Sequence, residues 1–327
     1  MTVVAASSVS TAKAFCPGHI TGFLAKVSDL VDHEKVKKNE GNCSHLDKGS
    51  LGAGLAIDLG ITTTVRVFDK CNSSSGASYD VVVNGINKNS NTDVTESVIE
   101  QYIEFLHGSY HIKIEHEASI PTGYGLSSSG AAALSLSYAL NRALKAGLNM
   151  EEAAQIAHRS EIECKTGLGN VLAQYVGGFE LRSEIGGPGV GVVSKLPCHS
   201  DSQDLRVIIL CLSPLSTKKF LTEHVGLLNG FGEDMLEKFS VSRNLNDFLD
   251  ISYDFASCLG LIRGKSGSLI SELKSQGFGS SVALFGDTIF SIVESKNVDN
   301  VINTLKGNGG ILLTCGIDHH GARIIEK

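Results

Sequence analysis

The stretch Pro121 to Ala133, PTGYGLSSSGAAA, holds the residue types best suited to chemistry in this chain. Gly123, Gly125 and Gly130 allow tight turns and close approach of the backbone to a ligand, and Ser127, Ser128 and Ser129 add hydroxyls. An apolar, alanine-rich run follows at once, so a helix would aim its free N–H groups and the positive end of its dipole at the same place. This is a means of cradling phosphate. The stretch is not a P-loop, because the lysine of GxxxxGK[ST] is missing, and it is not the GxGxxG of a dinucleotide fold. Taken alone it also fits a plain serine-capped helix after a glycine turn.

The surrounding elements favour the cradle. His111 to Ile120, HIKIEHEASI, alternates polar and apolar residues as a half-buried strand does, and it delivers the chain to Pro121. A helix from about Gly130 to Ala146 is apolar nearly all round and should be buried; Gly147 ends it. Asn149 with Glu152 forms a capping box for a second helix running to about Lys165, where Gly167 and Gly169 stop it. FELRS and VVSKL read as short strands beyond. Upstream, GSLGAG at Gly49 to Gly54 opens a β-branched strand, and Asn84-Gly85 between strand-like runs signals a hairpin in an antiparallel sheet. Asp93 and Glu96 start a helix whose apolar spacing continues to residue 107, while 1–12 read as a leader or first strand and 28–49 as an exposed loop.

The second half opens with the strand LRVIILCLSP. Helices are expected around 216–229, 244–260 and 264–276, then two strands joined at Gly286-Asp287, a helix near 297–306 and the strand ILLTCGI. Strands bracketing helices on an antiparallel sheet give a second unit of ferredoxin-like type. The expected organisation is α+β with two domains, 1–197 and 198–327.

Composition narrows the function classes. The chain has 327 residues, 42% hydrophobic and 19% charged, and a formal net charge of −7. This is a soluble globular composition whose charge disfavours nucleic acid or anionic membrane as partner and leaves a small molecule. Eight cysteines without a CxxC pair fit a reducing cytoplasm. No basic-then-apolar export signal opens the chain, and no apolar run nears the ~18 residues a membrane helix needs. Asp318-His319-His320 invites a zinc reading, but adjacent histidines on a strand point apart, so no zinc is expected.

The serine loop resembles the central motif of the GHMP superfamily of small-molecule kinases, Pro-x-x-x-Gly-Leu-x-Ser-Ser with small residues after it, matched by Pro121, Gly125, Leu126, Ser128, Ser129 and Ala131. Pro17-Gly18 resembles the superfamily's first motif and GFGSSVAL at Gly277 to Leu284 its third. Within the superfamily the chain is most similar to the archaeal pantoate kinases, through PGHITGF, GSLGAG, TGLGNVLAQYVGG and IDHHGARI, which together span nearly its whole length. That resemblance implies an N-terminal ribosomal-protein-like α/β domain, a C-terminal ferredoxin-like domain, and transfer of the ATP γ-phosphate to the 4-hydroxyl of pantoate on the route to coenzyme A.

It also implies roles. Backbone N–H groups from Gly123 to Gly130 would hold the ATP phosphates, with Pro121, Leu126, Ser127 and Ser128 shaping the loop. Ser129 and Glu161 would hold Mg²⁺, Glu163 projecting from another helix face. His19, Thr21, Gly167 and Arg182 would meet the substrate, and Lys165 is a second cation near it. Arg323 is assigned to the domain interface or the substrate site. Leu51 stands where the family has arginine, and Asn170 where it has aspartate. Asparagine is no base, so Asn170 would orient the hydroxyl while phosphate takes the proton. Two alternatives stay open: another hydroxyl kinase, of homoserine or mevalonate type, and a non-catalytic nucleotide sensor. A homodimer is compatible with the sequence.

Overall fold

The computed structural model describes residues 10–28, 45–69, 78–87, 93–103, 110–198, 204–215 and 217–326. The leader at 1–9, most of the polar stretch 28–49 and the helical spacing beyond residue 103 lie outside them.

Two long strands form the spine. β1 (Ser10–Val27) and β2 (Ser50–Asp69) pair antiparallel, with register shifts at Pro17/Gly18, Thr21/Phe23 and Leu24/Lys26. Each half of β2 serves a different neighbour. Its second half pairs β5 (Tyr110–Ala118), and its first half pairs β6 (Phe179–Glu184), which in turn pairs β7 (Val192–Leu196). β3 (Ser78–Val83) turns into β4 (Ile86–Asn87) through Asn84 and Gly85, at φ 47° and 76°. That turn matches the hairpin signal. β3 nevertheless runs parallel to β5, because α1 (Asp93–Ile103) supplies the crossover that a parallel pair requires, so the sheet is not purely antiparallel. β12 (Arg323–Glu326) returns to pair β1, and Gly316 N–H donates to Asp58 Oδ1 at 2.9 Å. Residues 316–326 thus pack with the first sheet.

The second sheet has the order β11 (Ile311–Cys315), β8 (Leu205–Pro214), β10 (Gly286–Glu294), β9 (Ser280–Val282), every pair antiparallel. Taken with α5 (Thr217–Ser242), α6 (Leu245–Cys258) and α7 (Gly264–Ser275) between β8 and β9, and α8 (Val298–Leu305) between β10 and β11, this is the ferredoxin-like β-α-β-β-α-β arrangement. An aromatic cluster joins the two layers: Phe23 packs edge-on to Phe239 at 5.5 Å, and Phe179 to Phe248 at 5.1 Å.

Two expected boundaries move. The helix expected to stop near 229 runs on to Ser242 through Gly230 and Gly232. Gly232 is there for contact: a Cβ on it would stand 2.1 Å from Leu24 O and 2.3 Å from Ala25 Cα. Gly232→Ala is therefore expected to push α5 off β1 and to lower stability by about 1–3 kcal/mol. Urea denaturation reads this, and an unchanged midpoint would contradict it. The joint between β9 and β10 also falls earlier than Gly286-Asp287, because Phe285, at φ 68°, makes the bend and Gly286 already belongs to β10.

Candidate active site

The serine loop is anchored before it turns. Ser119 Oγ donates to Gly60 O at 3.0 Å and accepts from Gly60 N–H at 2.9 Å, fixing the end of β5. Ser127, at φ 55°, then holds the position before α2 (Ser128–Leu144) without a side-chain bond to the helix, which starts two residues before the expected Gly130. Ser128 and Ser129 consequently occupy the first helical turn, where N–H groups have no partner within the helix. Ser127 Oγ donates to His19 O at 3.2 Å, and His19 N–H donates to Leu126 O at 3.1 Å, tying the loop to β1. Leu126 is buried and supports the loop from inside; Pro121, Gly123 and Gly125 are half-buried on it. The second layer reaches the loop too, since Leu215 N–H donates to Gly123 O at 2.8 Å and Gly125 lies against Leu284 O.

Behind the loop stands Glu161, near the end of α3 (Met150–Glu163), whose capping box at Asn149 and Glu152 is present. Its side chain is fully buried. Oε2 accepts from Val171 N–H at 3.4 Å, while Oε1 has no partner and faces Gly130 and Gly167 so closely that a Cβ on either would fall 2.9 or 2.1 Å away. Burial pushes the carboxyl up to about 7, opposed by the N–H groups of Val171 and Gly169 and by Arg182. Ser129 Oγ donates to Thr166 O at 3.4 Å, which sets it beside the same turn. Glu163 instead points outward to Ser97 and His45. Among the described residues no group of three or more His, Cys, Asp or Glu could hold a metal ion. A hydroxyl and one orphaned carboxylate oxygen nevertheless suit Mg²⁺, which takes few protein ligands and fills the rest with phosphate and water.

The glycines of GSLGAG make room for a second charged group. On β2, Gly52 stands opposite Arg182 and Gly54 opposite Glu180 of β6, and a Cβ at Gly54 would lie 2.5 Å from the His19 ring. His19 Nε2–H donates to Glu180 Oε1 at 3.0 Å, and Thr21 Oγ1–H donates to Nδ1 at 3.4 Å. Burial lowers the His19 pKa more than Glu180 raises it, so a neutral imidazole meets the carboxylate. Arg182 Nη1 also donates to Glu180 Oε1, at 3.3 Å, whereas Arg182 Nε and Nη2 and Glu180 Oε2 are buried without partners. Glu180 escapes sequence reasoning. Its one signal is its place, two residues before Arg182, on the same face of a short strand.

Asn170 is buried as the first residue of α4 (Asn170–Val176), a helix that the flanking glycines hide in the sequence. Lys165 is half-buried at the end of α3 in a left-handed conformation, φ 55°. Arg323 is structural: it donates to Asp318 Oδ2 at 2.8 Å and stacks 4.7 Å over Phe15. Asp318 Oδ1 accepts from the N–H groups of His320 and Gly321, and both histidines are exposed, so this corner is a turn clamp. A cavity of about 440 Å³ opens beside Ser128 and Ser129, walled by Ile61, Val83, Asp93 and His116. Of these walls only Asp93 carries a sequence signal, as the start of a helix.

Residues 73–178 match the family described as GHMP kinases N terminal domain. The fold, the serine loop and this match define a GHMP kinase, an ATP-dependent enzyme acting on small molecules. A pantoate kinase of Methanocaldococcus jannaschii is 34% identical over 295 residues, covering 89% of this chain and 96% of its own. Another, of Thermococcus kodakarensis, is 30% identical and covers 88% and 89%. A solved structure described as a phosphotransferase related to the CoA biosynthesis pathway superposes with a TM-score of 0.82 at 25% identity, over 96% of this chain and 98% of that one. The chain belongs to the pantoate kinase family.

Proposed function

We propose that this chain transfers the γ-phosphoryl group of ATP to the 4-hydroxyl of pantoate, yielding 4-phosphopantoate for coenzyme A synthesis. The observation that carries this reading is the 34% identity to a pantoate kinase along nearly the whole chain. The N–H groups from Gly123 to Gly130 hold the phosphates, and the neighbouring cavity takes the nucleoside. Ser129 Oγ and Glu161 Oε1 hold Mg²⁺, which neutralises phosphate charge when bound. Arg182, with unpaired N–H groups, receives the pantoate carboxylate beside Thr21 and Gly167. His19 acts one step removed, holding Glu180 and through it Arg182. Asn170 orients the hydroxyl, phosphate accepts its proton, and Lys165 adds positive charge.

We assign the nucleotide to the unit 1–197, to whose sheet residues 316–326 return, with the second sheet closing on it through Leu284 to Gly286. No helix among the described residues is long and apolar enough to cross a membrane. A cytoplasmic setting accords with the free cysteines.

Incubation with ATP, Mg²⁺ and pantoate, followed by mass spectrometry and NMR of the product, is expected to give one phosphate on the 4-hydroxyl. Pantoate recovered unchanged would overturn the proposal. Ser129→Ala is expected to lower kcat roughly 10- to 100-fold with an unchanged Tm, as befits loss of one neutral ligand. A wild-type rate would remove Ser129 from the mechanism.

A further inference from the structure

One buried amide joins the phosphate loop to the helix that carries Asn170. Gln174 lies on α4, one turn after Asn170, so both side chains leave the same face of that helix. Gln174 Nε2 donates to Ser127 O at 3.1 Å, directly before α2, and to Pro17 O at 2.7 Å, on β1. Carbonyl oxygens only accept, so the nitrogen must face them and the amide has one orientation. Its Oε1 lies against Gly130, where a Cβ would stand 2.4 Å away, so the amide packs directly on the first turn of α2.

Both of the parts it joins need holding. α4 has seven residues, too few to keep a helix in place without tertiary contacts. Ser127 is a non-glycine residue at φ 55°, a strained conformation that persists only where the surroundings impose it. Its Oγ is tied to His19 O, and its carbonyl accepts from Ala131 N–H at 3.0 Å as well as from Gln174. The Gln174 bond is therefore a direct link between the residue that opens the helix of Ser128 and Ser129 and the helix that begins at Asn170.

We propose that Gln174 is a positioning residue for phosphoryl transfer: it holds α4 against the phosphate loop so that the hydroxyl oriented by Asn170 meets the γ-phosphate in line. This role rests on the pantoate kinase reading given above. Gln174 is fully buried and touches neither substrate, so its loss should slow the chemical step and leave the binding of both nearly as it was.

Initial-rate kinetics of the full chain with Mg·ATP and pantoate, well below the Tm of each variant, test this. Gln174→Met keeps the length of the side chain but gives Ser127 O and Pro17 O no donor. It is expected to lower kcat roughly 10- to 100-fold, with both KM values within about threefold of wild type. Gln174→Asn carries its amide on a side chain one methylene shorter, out of reach of both carbonyls, and should show the same split; it decides the matter should Gln174→Met fail to fold. A wild-type kcat in a folded variant, or a loss confined to KM, would overturn the proposal. Failure of both variants to fold would overturn it too, because Gln174 would then serve folding alone. A wild type that leaves pantoate unphosphorylated would instead bring down the substrate reading on which the proposal stands.

Discussion

Glu161→Gln is expected to lower kcat for pantoate by roughly 10²- to 10³-fold while making the ligand-free protein more stable at alkaline pH. Both effects come from one buried oxygen. Glu161 Oε1 has no protein partner and faces the glycine turn behind the phosphate loop, so its charge is unneutralised until a cation arrives. The amide keeps the shape and removes the charge that would draw Mg²⁺ to the phosphates. Gln174 Oε1 also lacks a donor and also faces Gly130, so the new amide N–H₂ has an acceptor at hand. The pH effect has a definite sign. Burial raises the folded-state pKa from 4.5 to about 7, so the folded chain binds this proton more tightly than the unfolded chain does. Stability from Glu161 is therefore fully present below pH ~4.5 and is lost as pH rises through ~7, a change of about 3 kcal/mol. Urea titrations at pH 6 and pH 8 without Mg²⁺ or nucleotide should show the wild type losing stability between them and the variant holding it. Equal pH slopes would mean that the carboxyl is not buried in this way, and a wild-type kcat would mean that it holds no cation.

Arg182→Lys should lower kcat/KM for pantoate by roughly 10²- to 10³-fold and leave KM for ATP nearly unchanged. Lysine preserves the charge opposite Glu180 and so avoids stranding a buried carboxylate, which an alanine would do. What it lacks is the planar fork whose Nε and Nη2 have no partner in the protein. If those N–H groups receive the pantoate carboxylate, a point charge cannot replace them. Initial rates across pantoate and ATP concentrations separate the two constants. A rise in KM for ATP as large as that for pantoate would place Arg182 with the nucleotide instead.

The phosphate loop is the part of this molecule most legible in the sequence. Pro121, the glycines and the serines lie in register between an alternating strand and an apolar helix, and local periodicity records both. Capping at Asn149 and the turn at Asn84-Gly85 were equally plain, because each is decided by residues within four positions. What the sequence withheld was partnership at a distance. Gly232 reads locally as a helix breaker, and only Leu24, more than two hundred positions earlier, shows why it is a contact residue. His19 carries the right position in its motif, but the carboxylate that occupies its ring lies on a strand 161 positions away. His116 alternates as a strand residue should, and nothing nearby tells that Thr63, on the facing strand, lies 2.7 Å from its Nδ1. Leu51 and Asn170 are the positions where the resemblance implies other residue types, and the chemistry proposed for Asn170 demands no base.

The most direct test of the central claim is the rate of ADP release with Mg·ATP and, in turn, pantoate, homoserine and mevalonate. A pantoate kinase with the site described here should turn over pantoate with kcat/KM at least about 100-fold above either alternative. Faster turnover of another hydroxy acid, or ATP binding with no phosphoryl transfer to any of the three, would contradict it.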